Sequence, residues 1–192
     1  ECMDRSLHCS QINFRMNTYI VLLKGINVGG HKKVPMAELR ESLTKSGFQN
    51  VQTYIQSGNV MLQSKIGDIS TIEIGIEKTI KDEFGFEVSV LVKTRQELQC
   101  IFDNSPFEEE KKKASYFMML HDCPNEDLVK EASEKVYENE DYKIINDCIY
   151  YYNEKGLGKA KFNVNFFERK FKTFATARNY NTMVKLLSLS AE

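Results

Sequence analysis

A chain of 192 residues with 42% hydrophobic content carries enough apolar material for one domain or two small ones. A net charge of −1 gives no overall attraction to a polyanion, so any case for a nucleic-acid partner has to rest on local clustering. No apolar run approaches the roughly 20 residues that span a bilayer, so no membrane segment is expected.

Residues 1–15, "ECMDRSLHCSQINFR", lack both the apolar stretch and the small-residue cleavage site of a signal peptide. They read as an extension or cloning remnant before a natural start at Met16. Cys2, His8 and Cys9 in this stretch are too few and too close to a chain end to argue for a metal site. With Cys100, Cys123 and Cys148 the cysteines number five, with no CxxC spacing, which fits reduced thiols in a cytoplasmic protein.

From Met16 the pattern is regular. "YIVLLK" at 19–24 is a buried strand by its β-branched and aromatic content. Pro35 suits the first position of a helix carrying Met36, Leu39 and Leu43 on one face, and Gly47 ends it. "NVQTYIQ" and "NVMLQS" are two strands around a Ser57-Gly58 hairpin signal. Ile72, Ile76 and Ile80 recur at four-residue steps in a helix that stops at Gly85, and "EVSVLVK" alternates as a strand. The order β-α-β-β-α-β is that of a ferredoxin-like unit.

The same order returns after the polar connection "DNSPFEEEKKKA" at 103–114. "SYFMMLH" is a strand, 125–138 an acidic helix, "DYKIIN" and "CIYYYN" a hairpin, "KFNVNFFERKF" a helix and "TFAT" a strand, with a last helix over 179–189. The predicted architecture is α+β: two ferredoxin-like (α/β plait) halves with antiparallel sheets, over 16–102 and 115–192. No sequence identity between them is visible.

Right-handed crossovers in such a unit bring the loop after the first strand (residues 25–34) and the turn after the second (residues 56–59) to one sheet edge, together with the turn at Gly85. The first of these holds Gly25, Gly29, Gly30, His31, Lys32 and Lys33. It fails the Walker A pattern, because His31 and Lys32 follow Gly30, and it contains no GxGxxG. What remains is glycine-permitted backbone, lysines beside a helix start, and the polar groups of Asn27, Gln56, Ser57 and Asn59. Two readings stay open: an anion cradle, or a glycine-dependent turn with solvated lysines.

"LLKGINVGGHKKVPMAELRESL", "VQTYIQSGNV", "EFGFEVSVLVKTRQEL" followed by "NSPF", and the terminal "ARNYNTMVKLLSL" resemble the DUF1697 family of uncharacterised, mainly bacterial proteins. The resemblance runs from Met16 to the end and implies an α/β plait structure, with no activity to transfer. The family's recurrent positions match Gly25, Asn27, Gly29, Gly30, Pro35, Tyr54, Gln56, Ser57, Gly58 and Asn59, and near the end Arg178, Asn179 and Thr182. The resemblance therefore adds Tyr54, Arg178 and Asn179 to the candidate ligand-binding set of Lys24, Asn27, Gly29, Gly30, His31, Lys32, Gln56, Ser57 and Asn59.

Elsewhere the signals are weaker. Residues 155–187 carry Lys155, Lys159, Lys161, Arg169, Lys170, Lys172, Arg178 and Lys185 against Glu168 alone. Phe162, Phe166, Phe167, Phe171 and Phe174 are interleaved with them, which raises base stacking on a ferredoxin-like sheet, although the four-residue step from Phe162 to Phe166 equally suits a helix core. "SLTK" at 42–45 lacks the companion motifs of an SxxK enzyme, and His121 with Cys123 supplies only two metal ligands. The expectation is a cytoplasmic binder of a phosphorylated or otherwise anionic ligand, through backbone N–H groups plus Lys24 or Lys32. The alternatives are an enzyme acting on a phosphorylated metabolite with His31 as its titrating group, and RNA or single-stranded DNA binding through the basic C-terminal face. No metal site is expected, and cofactor and oligomeric state are not specified by these residues.

Overall fold

Strand β1 (Asn17–Leu23) sends Tyr19, Val21 and Leu23 to one side of its sheet and Ile20 and Leu22 to the other, and all five are at most 3% exposed. The chain therefore has to cover both faces. In the computed structural model, which describes residues 16–155 and 160–191, β1 is followed by α1 (Met36–Lys45), β2 (Gln49–Tyr54), β3 (Asn59–Ser64), α2 (Ile69–Phe84) and β4 (Val90–Thr94). The expected extension at 1–15 lies outside the described residues. The sheet order β2-β3-β1-β4, antiparallel throughout, is that of the ferredoxin-like unit, with β3 between the two crossover strands.

Helices α1 and α2 close the outer face. Leu39 and Leu43 pack with the Ile72, Ile76 and Ile80 stripe against Val21, Val60 and Val92. Asp68 caps α2 by accepting from Thr71 N at 2.8 Å, and Gly85 ends it in the left-handed region at φ 78°. Pro35 is the residue just before α1, one position earlier than expected.

An element missing from the sequence reading comes next, helix α3 (Arg95–Asp103). Its start is a capping box: Glu97 N donates to Thr94 Oγ1 at 3.2 Å while Thr94 N donates to Glu97 Oε2 at 2.7 Å. The short α4 (Glu109–Lys113) occupies the charged connection. Then come β5 (Tyr116–Leu120), α5 (Glu126–Ser133), β6 (Glu140–Ile145), β7 (Cys148–Asn153), α6 (Val164–Phe171), β8 (Ala175–Asn179) and α7 (Tyr180–Leu189), giving a second sheet of order β6-β7-β5-β8. Helix α5 stops five residues before the expected 138. The Tyr142 hydroxyl donates to Ala132 O at 2.8 Å and Lys135 O at 2.6 Å, satisfying carbonyls that further helix would have used.

The inner faces of the two sheets meet. Ile20, Leu22, Met61 and Leu91 from one share a core with Phe117, Met119 and Tyr150 from the other, and α3 and α7 complete it through Leu98, Ile101, Met183 and Leu186. With Phe162, Phe167 and Phe171 packed on the outer face of the second sheet, both faces of both sheets are covered.

The registers reveal a duplicated layout. Leu22 pairs with Asn59 and Leu91, as Met119 pairs with Cys148 and Thr176. Lys24 thus corresponds to His121, Gly58 to Asp147 and Lys93 to Arg178. The contacts agree: Leu23 N donates to Gly58 O and Leu120 N to Asp147 O, each at 2.8 Å. The halves also clasp each other reciprocally, as in a two-fold interface. Lys24 pairs with Glu168 and His121 with Glu73, while Lys93 reaches Asp147 and Arg178 reaches Asn59.

Candidate functional site

The loop after β1 closes on itself. Gly29 and Gly30, at φ 59° and 79°, form a two-residue turn closed by His31 N donating to Val28 O at 3.0 Å, the signature of type I′. Asn27 N donates to Lys32 O at 3.1 Å, so the turn heads a miniature hairpin. The Asn27 side chain locks its base: Oδ1 accepts from Val34 N at 2.9 Å, and Nδ2 donates to Val34 O at 3.0 Å and Gln56 O at 2.9 Å. The last bond joins the loop to the turn after β2, confirming in geometry that the two meet at one edge. Lys32 Nζ extends to Glu87 O at 2.7 Å, which brings in the segment before β4 as well. Lys32 also lines a cleft of about 600 Å³ with Lys78, Lys81, Glu77 and Glu87.

Behind the exposed turn lies a buried polar network. Asn59 is completely buried; its Nδ2 donates to Tyr54 O at 3.2 Å and Ser57 Oγ at 2.9 Å, and its Oδ1 accepts from Arg178 Nε. Arg178, on β8 of the other half, is 7% exposed. Its Nη1 donates to Thr176 Oγ1 and Ala177 O, both at 2.8 Å, and its Nη2 faces the carbonyls of Leu23, Ser57 and Gly58 at 3.3–3.4 Å. Every acceptor is neutral. Burial lowers the guanidinium pKa to about 10, so the group stays charged at neutral pH, and among the described residues no carboxylate lies beside it.

The duplicated layout supplies an internal comparison. At the equivalent position of the second edge, Lys93 enters the β6–β7 turn and meets a carboxylate, Asp147 Oδ2, at 2.6 Å. Among the described residues, one edge therefore neutralises its inserted cation and the other does not.

The candidate residues separate into two groups. Gly29, Gly30, His31, Lys32, Gln56 and Ser57 are exposed together on one edge. The others are committed to the fold. Asn27 clamps the loop, Asn59 and Arg178 form the buried network, and the half-buried Tyr54 packs against the shared core. Lys24 pairs with Glu168, and Asn179 caps α7 by accepting from Thr182 N at 2.9 Å. Asn59 and Arg178 lie directly behind this edge, with their side chains enclosed by protein. Sequence reasoning missed the pairing itself. The two residues stand in separate motifs, "VQTYIQSGNV" and "ARNYNTMVKLLSL", and nothing in their spacing links one to the other.

The aromatics of the C-terminal segment belong to the core rather than to a stacking platform. Phe162, Phe167 and Phe171 are buried and both sheet faces are occupied, although Phe162 precedes α6 and Phe166 is only half-buried, so the pair does not form the helix-core step expected. Lys161 and Lys170 pair with Glu138 at 3.2 Å and Glu131 at 2.5 Å, and Arg178 is inside the protein. His121 turns to Glu73 and Asp122 rather than toward Cys123, and among the described residues no group of three His, Cys, Asp or Glu is placed to hold a metal.

Two ferredoxin-like halves sharing a core, with an exposed glycine edge pinned from behind by the other half, define an α+β protein of duplicated plait architecture. The chain belongs to the family described as "Protein of unknown function (DUF1697)", which it matches over residues 16–150. Its fold is similar to that of a conserved bacterial protein from Streptococcus pneumoniae, at 24% identity and a TM-score of 0.73, over 93% of this chain and 100% of that one. Comparison with curated proteins finds no match. No helix among the described residues is long and apolar enough to cross a membrane.

Proposed function

We propose that the chain is a cytoplasmic binding protein whose ligand is small and anionic, a phosphorylated metabolite being the favoured class, held at the edge shared by residues 25–34 and 56–59. The observation that carries this reading is the Arg178 guanidinium, buried under the turn with no carboxylate against it among the described residues, while its equivalent Lys93 has Asp147. A charge in a low-dielectric interior is weakly screened, and its field emerges at the nearest surface, here the exposed Ser57 turn. Lys32 and Lys33 add to the same sign at the rim. A type I′ turn leaves its two central amides free of the turn's own hydrogen bond, so Gly29 and Gly30 can offer N–H donors. The clamps made by Asn27 and Arg178 fix this surface before a ligand arrives, which lowers the ordering cost of binding.

The test is an amide-resolved NMR titration with inorganic phosphate and a panel of phosphorylated metabolites at low salt. The expected result is saturable shifts centred on Gly29, Gly30 and Ser57. Lys32→Ala should weaken binding by roughly fivefold, the equivalent of ~1 kcal/mol for a partly exposed charge. Gly30→Ala should weaken it further by adding a Cβ where the anion approaches, although the folded chain has room for that carbon. Shifts confined to Lys161, Arg169 and Lys172, seen with oligonucleotides and lost in salt, would instead assign the basic face and end this reading.

A further inference from the structure

We propose that His121 is a proton-dependent latch between the two halves, closing their junction as an imidazolium and loosening it when neutral. Its two ring nitrogens both face carboxylates: Nε2 lies 3.0 Å from Glu73 Oε2 and Nδ1 lies 3.0 Å from Asp122 Oδ2. A neutral imidazole has one N–H and one lone pair, and a lone pair facing a carboxylate is repelled. Only the protonated ring donates to both.

The carboxylates are held in place independently of the ring. Glu73, on α2 of the first half, is buried, and its Oε1 accepts from Val92 N at 2.9 Å. Asp122 accepts from Thr173 Oγ1 at 2.8 Å and its own N–H donates to the same hydroxyl at 3.0 Å. Phe174 stacks on the imidazole with centroids 4.9 Å apart, excluding water from one ring face. Neither acid can swing away at no cost when the ring loses its proton.

The surrounding charges come from several elements. Lys24 at the end of β1, Glu168 and Arg169 on α6, and Lys172 beyond it line one cavity with Asp122, and Glu77 follows Glu73 by one turn of α2. Lys24 is already paired with Glu168, so the groups in direct contact with the ring are the two carboxylates. Burial by itself lowers the His121 pKa, and the hydrogen bonds and charges of Asp122 and Glu73 more than offset it, raising it above the ordinary histidine value. The corresponding bridge in the other direction is Lys24 to Glu168. Of these two junction contacts, only the one at His121 contains an imidazole.

The sign follows from the raised value. Stabilisation is fully present below the unfolded pKa of about 6.5 and is lost as pH rises through the folded pKa. The experiment follows the His121 ring resonances of the full chain against pH and compares thermal unfolding at pH 5.5 and 8.5 in wild type, His121→Gln and Glu73→Gln. The ring should titrate above 6.5, and Glu73→Gln should bring that value down. Over the same interval the wild type should lose about 3–6 °C relative to His121→Gln, the shift expected for a roughly tenfold change in the folding equilibrium. A ring pKa at or below 6.5, or the same pH dependence in wild type and His121→Gln, would overturn the proposal. The ring titration needs only the wild-type chain, so a variant that fails to fold does not remove the test.

Discussion

Arg178→Met should lower stability by about 2–4 kcal/mol, because it strips five N–H donors from a site that water cannot re-enter. Asn59 Oδ1 loses its donor, and the Ser57 and Leu23 carbonyls lose theirs from Nη2. Removing the desolvated charge returns part of this, which is why the figure stays below a simple sum over the bonds. In a chain of this size the midpoint of thermal unfolding should fall by roughly 5–15 °C. Arg178→Lys should recover little of it. One ammonium cannot span Asn59 on one side and Thr176 on the other in the way a planar fork does. If both variants unfolded like the wild type in urea, the guanidinium would be contributing no more than its burial costs. The turn at 56–59 would then owe its shape to its own residues, and the electrostatic argument for an anion at this edge would lose its main support.

The polar residues of this edge illustrate what could and could not be inferred from order along the chain. Local patterns were legible. The buried β1 strand, the Ile72–Ile76–Ile80 stripe and the terminators Gly47 and Gly85 depend on neighbours a few residues away, and each appears where expected. The α3 start was equally local, since Thr94 and Glu97 spell a capping box, but the alternating strand before it drew attention from the signal. Asn59 was different. As a residue type in a turn it suggested a ligand contact, yet its amide nitrogen bonds within the turn and its Oδ1 accepts from Arg178, 119 residues away on another sheet. Lys24 was assigned to an anion for the same reason, and its partner Glu168 is 144 residues away. Spacing can say that a polar side chain in an apolar context needs a partner. Whether that partner is a ligand or the other half of the chain is decided by tertiary packing.

Gly58→Ala should be the most damaging single-methyl change at this edge, by about 2–5 kcal/mol, and Gly30→Ala a mild one. Both glycines have positive φ, 76° and 79°, so both substitutions incur the left-handed penalty of roughly 1–2 kcal/mol. The difference lies in the space around them. A Cβ on Gly30 would meet nothing within 4 Å, whereas one on Gly58 would sit 2.7 Å from Leu23 Cβ and 3.1 Å from Leu23 O. Neither atom is the free end of a side chain. Leu23 is buried, its N–H donates to Gly58 O at 2.8 Å, and its carbonyl faces Arg178, so relief requires moving the end of β1 away from the turn. That displacement would strain the Asn27–Gln56 tie between the two loops, since Asn27 follows β1 and Gln56 precedes Gly58. Urea unfolding of the two variants side by side, with unchanged slopes, measures the contrast directly. Equal losses in the two would mean that β1 and the turn are not closely apposed in solution, and the edge would then lack the rigidity that the proposed binding requires.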